Sequence, residues 1–129
     1  MKNDSKYLDK QFVANIKPKL VRDNIPDIIV NQGKRCTFSV LKEEKILEER
    51  RKKAIEELKE LKDAIESQSS IEEIEEEIAD FIEIYSFCIM GKYDENILKR
   101  IGKKIKIKQQ ENGSFNKNYY LEKVEFLNE

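Results

Sequence analysis

The sequence predicts an all-α fold: a helical bundle of about four helices, completed by dimerisation, with a short extended C-terminal tail. Three observations carry this. Apolar residues recur at helical spacing over two long stretches, Lys42–Glu66 and Ile71–Met90. Capping signals punctuate these stretches, and no comparable strand alternation is seen. Charged residues make up 40% of 129 residues and hydrophobic ones 39%, a mixture that suits solvated helices when it is this periodic. The length is that of a single domain, and small helical units commonly gain burial by pairing.

The chain opens with a polar, aperiodic stretch, residues 1–18, read as an N-terminal arm or a short first element; residues 19–129 are read as the domain proper. Lys19-Leu20-Val21-Arg22-Asp23-Asn24-Ile25-Pro26 leads into a short helix. Asp23 or Asn24 can cap it, Pro26 suits its first turn, and Gly33 is a plausible stop. Arg35–Val40 reads as extended linker or a short strand. The long helix from about Lys42 to Glu66 has Leu47, Ala54, Leu58, Leu61 and Ile65 on one stripe, its expected core face. Ser67-Gln68-Ser69-Ser70 breaks it.

Ser70 with Glu73 forms a capping box that opens a third helix, and Gly91 closes it. Its expected core stripe is Ile71, Ile74, Ile78, Ile82, Tyr85 and Ile89. Past Asp80 the opposite side also turns apolar through Phe81, Ile84, Phe87 and Cys88, as in a helix packed against two neighbours or a partner subunit. Asp94 is the expected cap of a fourth helix, Glu95 to about Asn112, with Gly113 beyond. The tail, Phe115–Phe126, can pair as a strand or fold back over the bundle.

Absences narrow the chemistry. With no histidine, neither a Ser-His-Asp nor a Cys-His arrangement is available, nor a common zinc site. No glycine-rich phosphate loop is present. Cys36 and Cys88 form no close motif and are expected to be reduced thiols. No apolar run approaches a bilayer span, the N-terminus lacks a signal-peptide core, and a cytoplasmic location is the expectation. A net charge of −1 gives no overall bias toward polyanions, so nucleic acid is an unlikely partner despite the basic run of Lys99, Arg100, Lys103, Lys104, Lys106 and Lys108.

What remains is carboxylate chemistry. Glu56-Glu57-Leu58-Lys59-Glu60 and Glu76-Glu77-Ile78-Ala79-Asp80 each place two acids three residues apart, on nearly the same side of a helix. Packing two such helices together would make an oxygen-rich site suited to Mg²⁺ or Mn²⁺. On a helical wheel Glu57 lies about 75° from its apolar stripe, and Glu60, Glu77 and Asp80 lie further round, on flanks that can line a cleft. A solvated, ion-paired face is the plainer explanation for the first motif, because Lys52, Lys53, Lys59 and Lys62 can pair with its acids. The third helix resists that explanation. It carries Glu72, Glu73, Glu75, Glu76, Glu77, Asp80 and Glu83 without a single basic residue.

The order of these motifs resembles the all-α NTP pyrophosphatase superfamily, the MazG-like and phosphoribosyl-ATP pyrophosphatase-like proteins. The resemblance runs from about Lys19 to Leu121 and rests on the Val21-Arg22-Asp23 opening, the two acid motifs, and Lys108 through Gly113 to Phe115. It implies a helical bundle assembled as a homodimer or homotetramer. It also implies Mg²⁺-dependent hydrolysis of the α–β phosphate bond of a nucleotide, giving monophosphate and pyrophosphate. The implied metal ligands are Glu57, Glu60, Glu77 and Asp80. Glu56, Glu57 or Glu60 is the implied proton acceptor. Lys104, Lys108 and Arg22 are candidates for the substrate phosphates, with Lys103 and Lys106 as neighbours. Arg22 and Asp23 also read simply as a cap and an ion pair. The chain departs from the pattern at Asn24, where lysine is usual, and at Asn112, which cannot supply a permanent charge to a phosphate. A phosphoribosyl-ATP pyrophosphatase, a related specialised nucleotide hydrolase, and a non-catalytic nucleotide- or protein-binding helical dimer are the alternative readings.

Overall fold

The computed structural model describes residues 5–128. They form a 3-10 turn, Ser5–Leu8, and five α-helices: α1 (Lys10–Asn15), α2 (Ile25–Asn31), α3 (Glu43–Glu66), α4 (Ile71–Met90) and α5 (Ile97–Asn112). Among the described residues there is no strand, so the all-α class holds. Arg35–Val40 is irregular linker. The expected arm contains the 3-10 turn and α1, two elements beyond the four expected; its residues 1–4 lie outside the described residues.

The chain divides into two compact units, one ending at Asp94 and the other beginning at Glu95. The second contains α5 and the segment after it. Asn96, not Asp94, is the N-cap residue of α5, and it makes no side-chain capping bond. Asp94 serves the first unit instead: its backbone N–H donates to Ser86 Oγ at 2.7 Å, and Ser86 Oγ donates to the Lys92 carbonyl at 3.0 Å. Ser86 is thereby fully buried, and the chain leaving α4 is tied back to the helix. Among the described residues after Gly113 there is neither helix nor strand, and Phe115, Tyr119, Tyr120, Leu121 and Phe126 are exposed.

The first unit is organised by α3 and α4. Ser70 Oγ accepts from the Glu73 N–H at 3.2 Å and starts α4 after a break of four residues. Gly91, at φ 73°, ends it in the left-handed conformation that a Cβ would strain. The short connection makes the two helices antiparallel, and Arg50 near the start of α3 accordingly donates to the Phe87 carbonyl near the end of α4, at 3.3 Å.

The packed faces differ from the expected ones. On α3 the side chains turned inward are Ile46, Arg50, Lys53, Ala54, Glu57, Leu61 and Ala64, a stripe centred on Glu57. On α4 the corresponding face runs through Ile74, Glu77, Phe81, Ile84 and Phe87. Much of the expected core is exposed instead: Leu47, Leu58 and Ile65 on α3, and Ile71, Ile78, Tyr85 and Ile89 on α4. The physical reason is that each helix carries two stripes, roughly one residue step or about 100° apart. A pair of helices buries one stripe from each, and here the charged stripe faces inward. In the first unit Tyr7 and Ile25 are the buried apolar side chains among the described residues.

Candidate metal and phosphate site

The charged seam between α3 and α4 gathers the acids of both motifs. Glu57 is 6% exposed and Glu77 7%; both lie inside the seam rather than on the flank that the wheel predicts. Two carboxylate groups result, Glu56–Glu57–Glu60 and Glu57–Glu77–Asp80, each with one oxygen per residue within 4.8 Å of the others. Glu57 belongs to both. Spacing within each helix explains the grouping, since residues three and four apart share a face, and the antiparallel pairing brings residue 57 opposite residue 77.

Cations answer the acids. Lys53, one turn before Glu57 on α3, places Nζ 3.1 Å from Glu57 and 3.5 Å from Glu56. Lys19 Nζ is 3.3 Å from Glu56 Oε1. Arg22 donates to Asp80 Oδ1 at 2.7 Å through one arm of its guanidinium and to Glu83 through the other. Burial opposes the charge on Arg22, but these hydrogen bonds outweigh it and raise its pKa. Burial likewise opposes the charged form of Lys53, and the charges of Glu57 and Glu56 more than restore it. Glu56 is held below the usual carboxylate range: burial pushes it up, and Lys53 and Lys19 bring it down further. Glu60, at the rim, moves the other way. Partial burial, then the charge and hydrogen bonding of Glu57, then Glu77, lift it to about 7.

Arg22 thus joins the acids, as an ion pair rather than a cap. Lys104 and Lys108 are exposed on α5, in the second unit. Lys6, Lys19, Lys53 and Arg50 are residues whose part at the site was not assigned from sequence. For Lys53 the i,i+4 spacing to Glu57 is a visible signal; for Arg50, which stacks on the Phe87 ring at 5.3 Å, there is none. Lys52 and Lys62 pair as solvated helix residues do, with Glu48 and Glu49 and with Glu66. Cys36 and Cys88 are both free, and burial raises the Cys88 thiol.

Two adjoining hollows open on the acids and share Val21, Arg22, Lys53, Glu57 and Asp80. The larger, about 220 Å³, adds an apolar wall of Leu20, Ile84 and Phe87 and the cation of Arg50. The smaller, about 40 Å³, is bounded by Lys6, Tyr7, Lys19, Ile25 and Glu60. Phe81 and Tyr85 stack on each other with ring centroids 6.0 Å apart.

A divalent cation fits the donor set. Glu57 Oε2 is buried and accepts no hydrogen bond, an expensive position for a carboxylate oxygen and a natural one for a metal ligand. All the candidate donors are hard carboxylate oxygens, which suit Mg²⁺ and Mn²⁺ rather than softer metals. No family model, no curated protein and no solved structure matches the chain.

Proposed function

We propose that the protein is a Mg²⁺-dependent nucleoside triphosphate pyrophosphohydrolase of the MazG-like type, cleaving the α–β phosphate bond to give nucleoside monophosphate and pyrophosphate. The observation that carries this is the pair of carboxylate groups sharing Glu57, of which Glu57 and Asp80 line a hollow that also presents Arg22, Arg50 and Lys53 and the apolar Leu20, Ile84 and Phe87. Glu56, Glu57, Glu60, Glu77 and Asp80 would hold the metal. Bound there, Mg²⁺ (or Mn²⁺) supplies charge neutralisation of the phosphates and acidification of the attacking water.

The chain's own groups do the rest. Leu20, Ile84 and Phe87 offer apolar surface to a base, with the Arg50 guanidinium flanking Phe87. Lys53 and Arg22 face the triphosphate from the acid side of the same hollow. In hydrolysis, water oxygen bonds to phosphorus, the anhydride P–O bond breaks, and the water proton must leave. A carboxylate of the Glu56–Glu57–Glu60 group left free of the metal would accept it, and Glu60, at the rim, is the most exposed of the three. The exposed apolar stripe of α4 supports assembly as a homodimer or a larger homo-oligomer, because a second copy would cover Ile78, Tyr85 and Ile89.

Incubating the protein with Mg²⁺ and a panel of ordinary and modified nucleoside triphosphates, while following pyrophosphate and monophosphate, tests the reading. Release from at least one nucleotide, lost in the double variant Glu57→Gln, Asp80→Asn with helicity intact, is the expected result. Equal cleavage by the double variant and the wild type would overturn it.

A further inference from the structure

The N-terminal segment brings a further cation, Lys6, to the site beside Lys19. Tyr7 is 3% exposed and its ring meets Phe12 edge-on at 5.7 Å, which anchors the 3-10 turn and α1 beside the acids. Asp9 caps α1 by accepting from the Gln11 and Phe12 N–H groups at 2.8 and 3.1 Å, so the position of Phe12 is itself held. The Phe12 ring then carries two ammonium groups: Lys6 Nζ at 5.4 Å from its centroid and Lys19 Nζ at 5.6 Å. Both lysines, with Lys53 and Arg22, wall the smaller hollow opposite Glu57, Glu60 and Asp80.

Such a gathering is costly by itself. Burial, followed by the like charges of Lys19 and Lys53, lowers the pKa of Lys6. Without metal, the carboxylates offset that repulsion. The balance changes when a divalent ion takes those carboxylates. The wall of the smaller hollow bears Lys6, Lys19, Arg22 and Lys53 with Glu57, Glu60 and Asp80, while Glu56 pairs with Lys19 and Lys53 and Glu83 with Arg22; a divalent ion that takes the carboxylates adds two positive charges beside these four cations. Four cations whose carboxylate partners are engaged by a metal call for a multiply charged anion.

We propose that Lys6 and Lys19 bind the phosphate groups of the ligand, so that the N-terminal segment forms one wall of the phosphate subsite. The inference rests on the metal-dependent nucleotide reading above. It assigns to residues 5–19 a part in ligand recognition, and it distinguishes these lysines from simple counter-ions of the acids, which would act on the metal rather than on the phosphate.

The test uses the full-length, Mg²⁺-saturated protein and inorganic pyrophosphate as the probe. Calorimetric titration should show affinity falling at least tenfold in Lys6→Met, Lys19→Met, while Mn²⁺ binding in the absence of phosphate is unchanged or tighter. A variant-free measurement accompanies it: amine acylation of the wild type, read by mass spectrometry, should slow at Lys6 and Lys19 when pyrophosphate is added, with the exposed Lys45 and Lys62 as references. Equal reaction rates at Lys6 and Lys19 with and without pyrophosphate, or no pyrophosphate binding by the loaded wild type, overturns the proposal. Protection at both lysines without turnover of any nucleotide would leave it standing and end the hydrolase reading. Turnover with both lysines unprotected would do the reverse.

Discussion

Lys53 Nζ lies 3.1 Å from Glu57 Oε1 inside the α3–α4 seam, with the two side chains 16% and 8% exposed. This pair is the pivot of the acid cluster, because Glu57 belongs to both carboxylate groups and Lys53 is the cation buried with it. A carboxylate cluster without metal repels itself, and an internal ammonium group relieves part of that cost.

Lys53→Met should therefore destabilise the metal-free protein by about 3 kcal/mol at pH 8, in the range seen when one partner of a buried pair is removed. Mn²⁺ at about a hundredfold over its Kd should restore about 2.7 kcal/mol by mass action. Glu57→Gln should behave oppositely: little stability is lost without metal, because the cluster sheds a charge and Lys53 keeps Glu56 at 3.5 Å, but Mn²⁺ no longer stabilises. Thermal denaturation of both variants with and without Mn²⁺ checks the pattern. Equal stabilisation of Glu57→Gln and wild type by Mn²⁺ would show that Glu57 is not a ligand.

Glu60 makes the site sensitive to pH. Its carboxyl stands at about 7 in the fold against an ordinary 4.5, so between those values the folded state holds a proton that the unfolded chain has released. Through this group, metal-free stability falls as pH rises from about 4.5 to 7 and then levels. Glu60→Gln should flatten that slope in a pH series of melts. A divalent ion displaces the same proton, so Mn²⁺ affinity should fall about tenfold per pH unit below 7. Calorimetry in buffers of different protonation enthalpy would count the proton released; a count near zero at pH 6 would refute the coupling.

The cap of α4 gives a local check on the scaffold. Ser70 Oγ satisfies the Glu73 N–H, and α4 carries Glu77 and Asp80 in its second and third turns. Ser70→Ala should cost about 1 kcal/mol in denaturant melts while leaving the m-value unchanged. A loss within error of zero would mean that the packing of α4, rather than its cap, sets where the helix begins.

Helix boundaries were legible because their signals are local. Ser70, Gly91 and the serine-rich break act through bonds within a few residues, and α3 and α4 begin or end within a residue of where those signals place them. The phase of the helices was not legible. Apolar residues ordinarily face inward, so the Leu58 and Ile78 stripes read as core, yet the inward face is the one that carries Glu57 and Glu77. The wheel thus singled out Glu57 and Glu77 and placed them at the wrong angle. Arg22 and the acid motifs were visible as spaced charges, whereas Lys6 reaches the acid site through the buried anchor of Tyr7, a tertiary contact with no periodic trace.

That exposed second stripe leads to the last prediction. Ile78, Tyr85 and Ile89 recur along one side of α4 at helical spacing, and each is exposed. A contiguous apolar stripe on a charged helix is unusual unless something covers it, and a second copy presenting the same stripe is self-complementary about a two-fold axis. Wild-type protein should sediment as a dimer or larger at micromolar concentration. Ile78→Glu, Ile89→Glu should shift it to monomer with the helical content of the chain retained, because both side chains are already solvent-facing within one chain and their replacement costs little internal packing. Sedimentation velocity across a dilution series reads both outcomes. A wild type that stays monomeric at the highest concentration, or a double variant that stays dimeric, would place the self-association surface elsewhere.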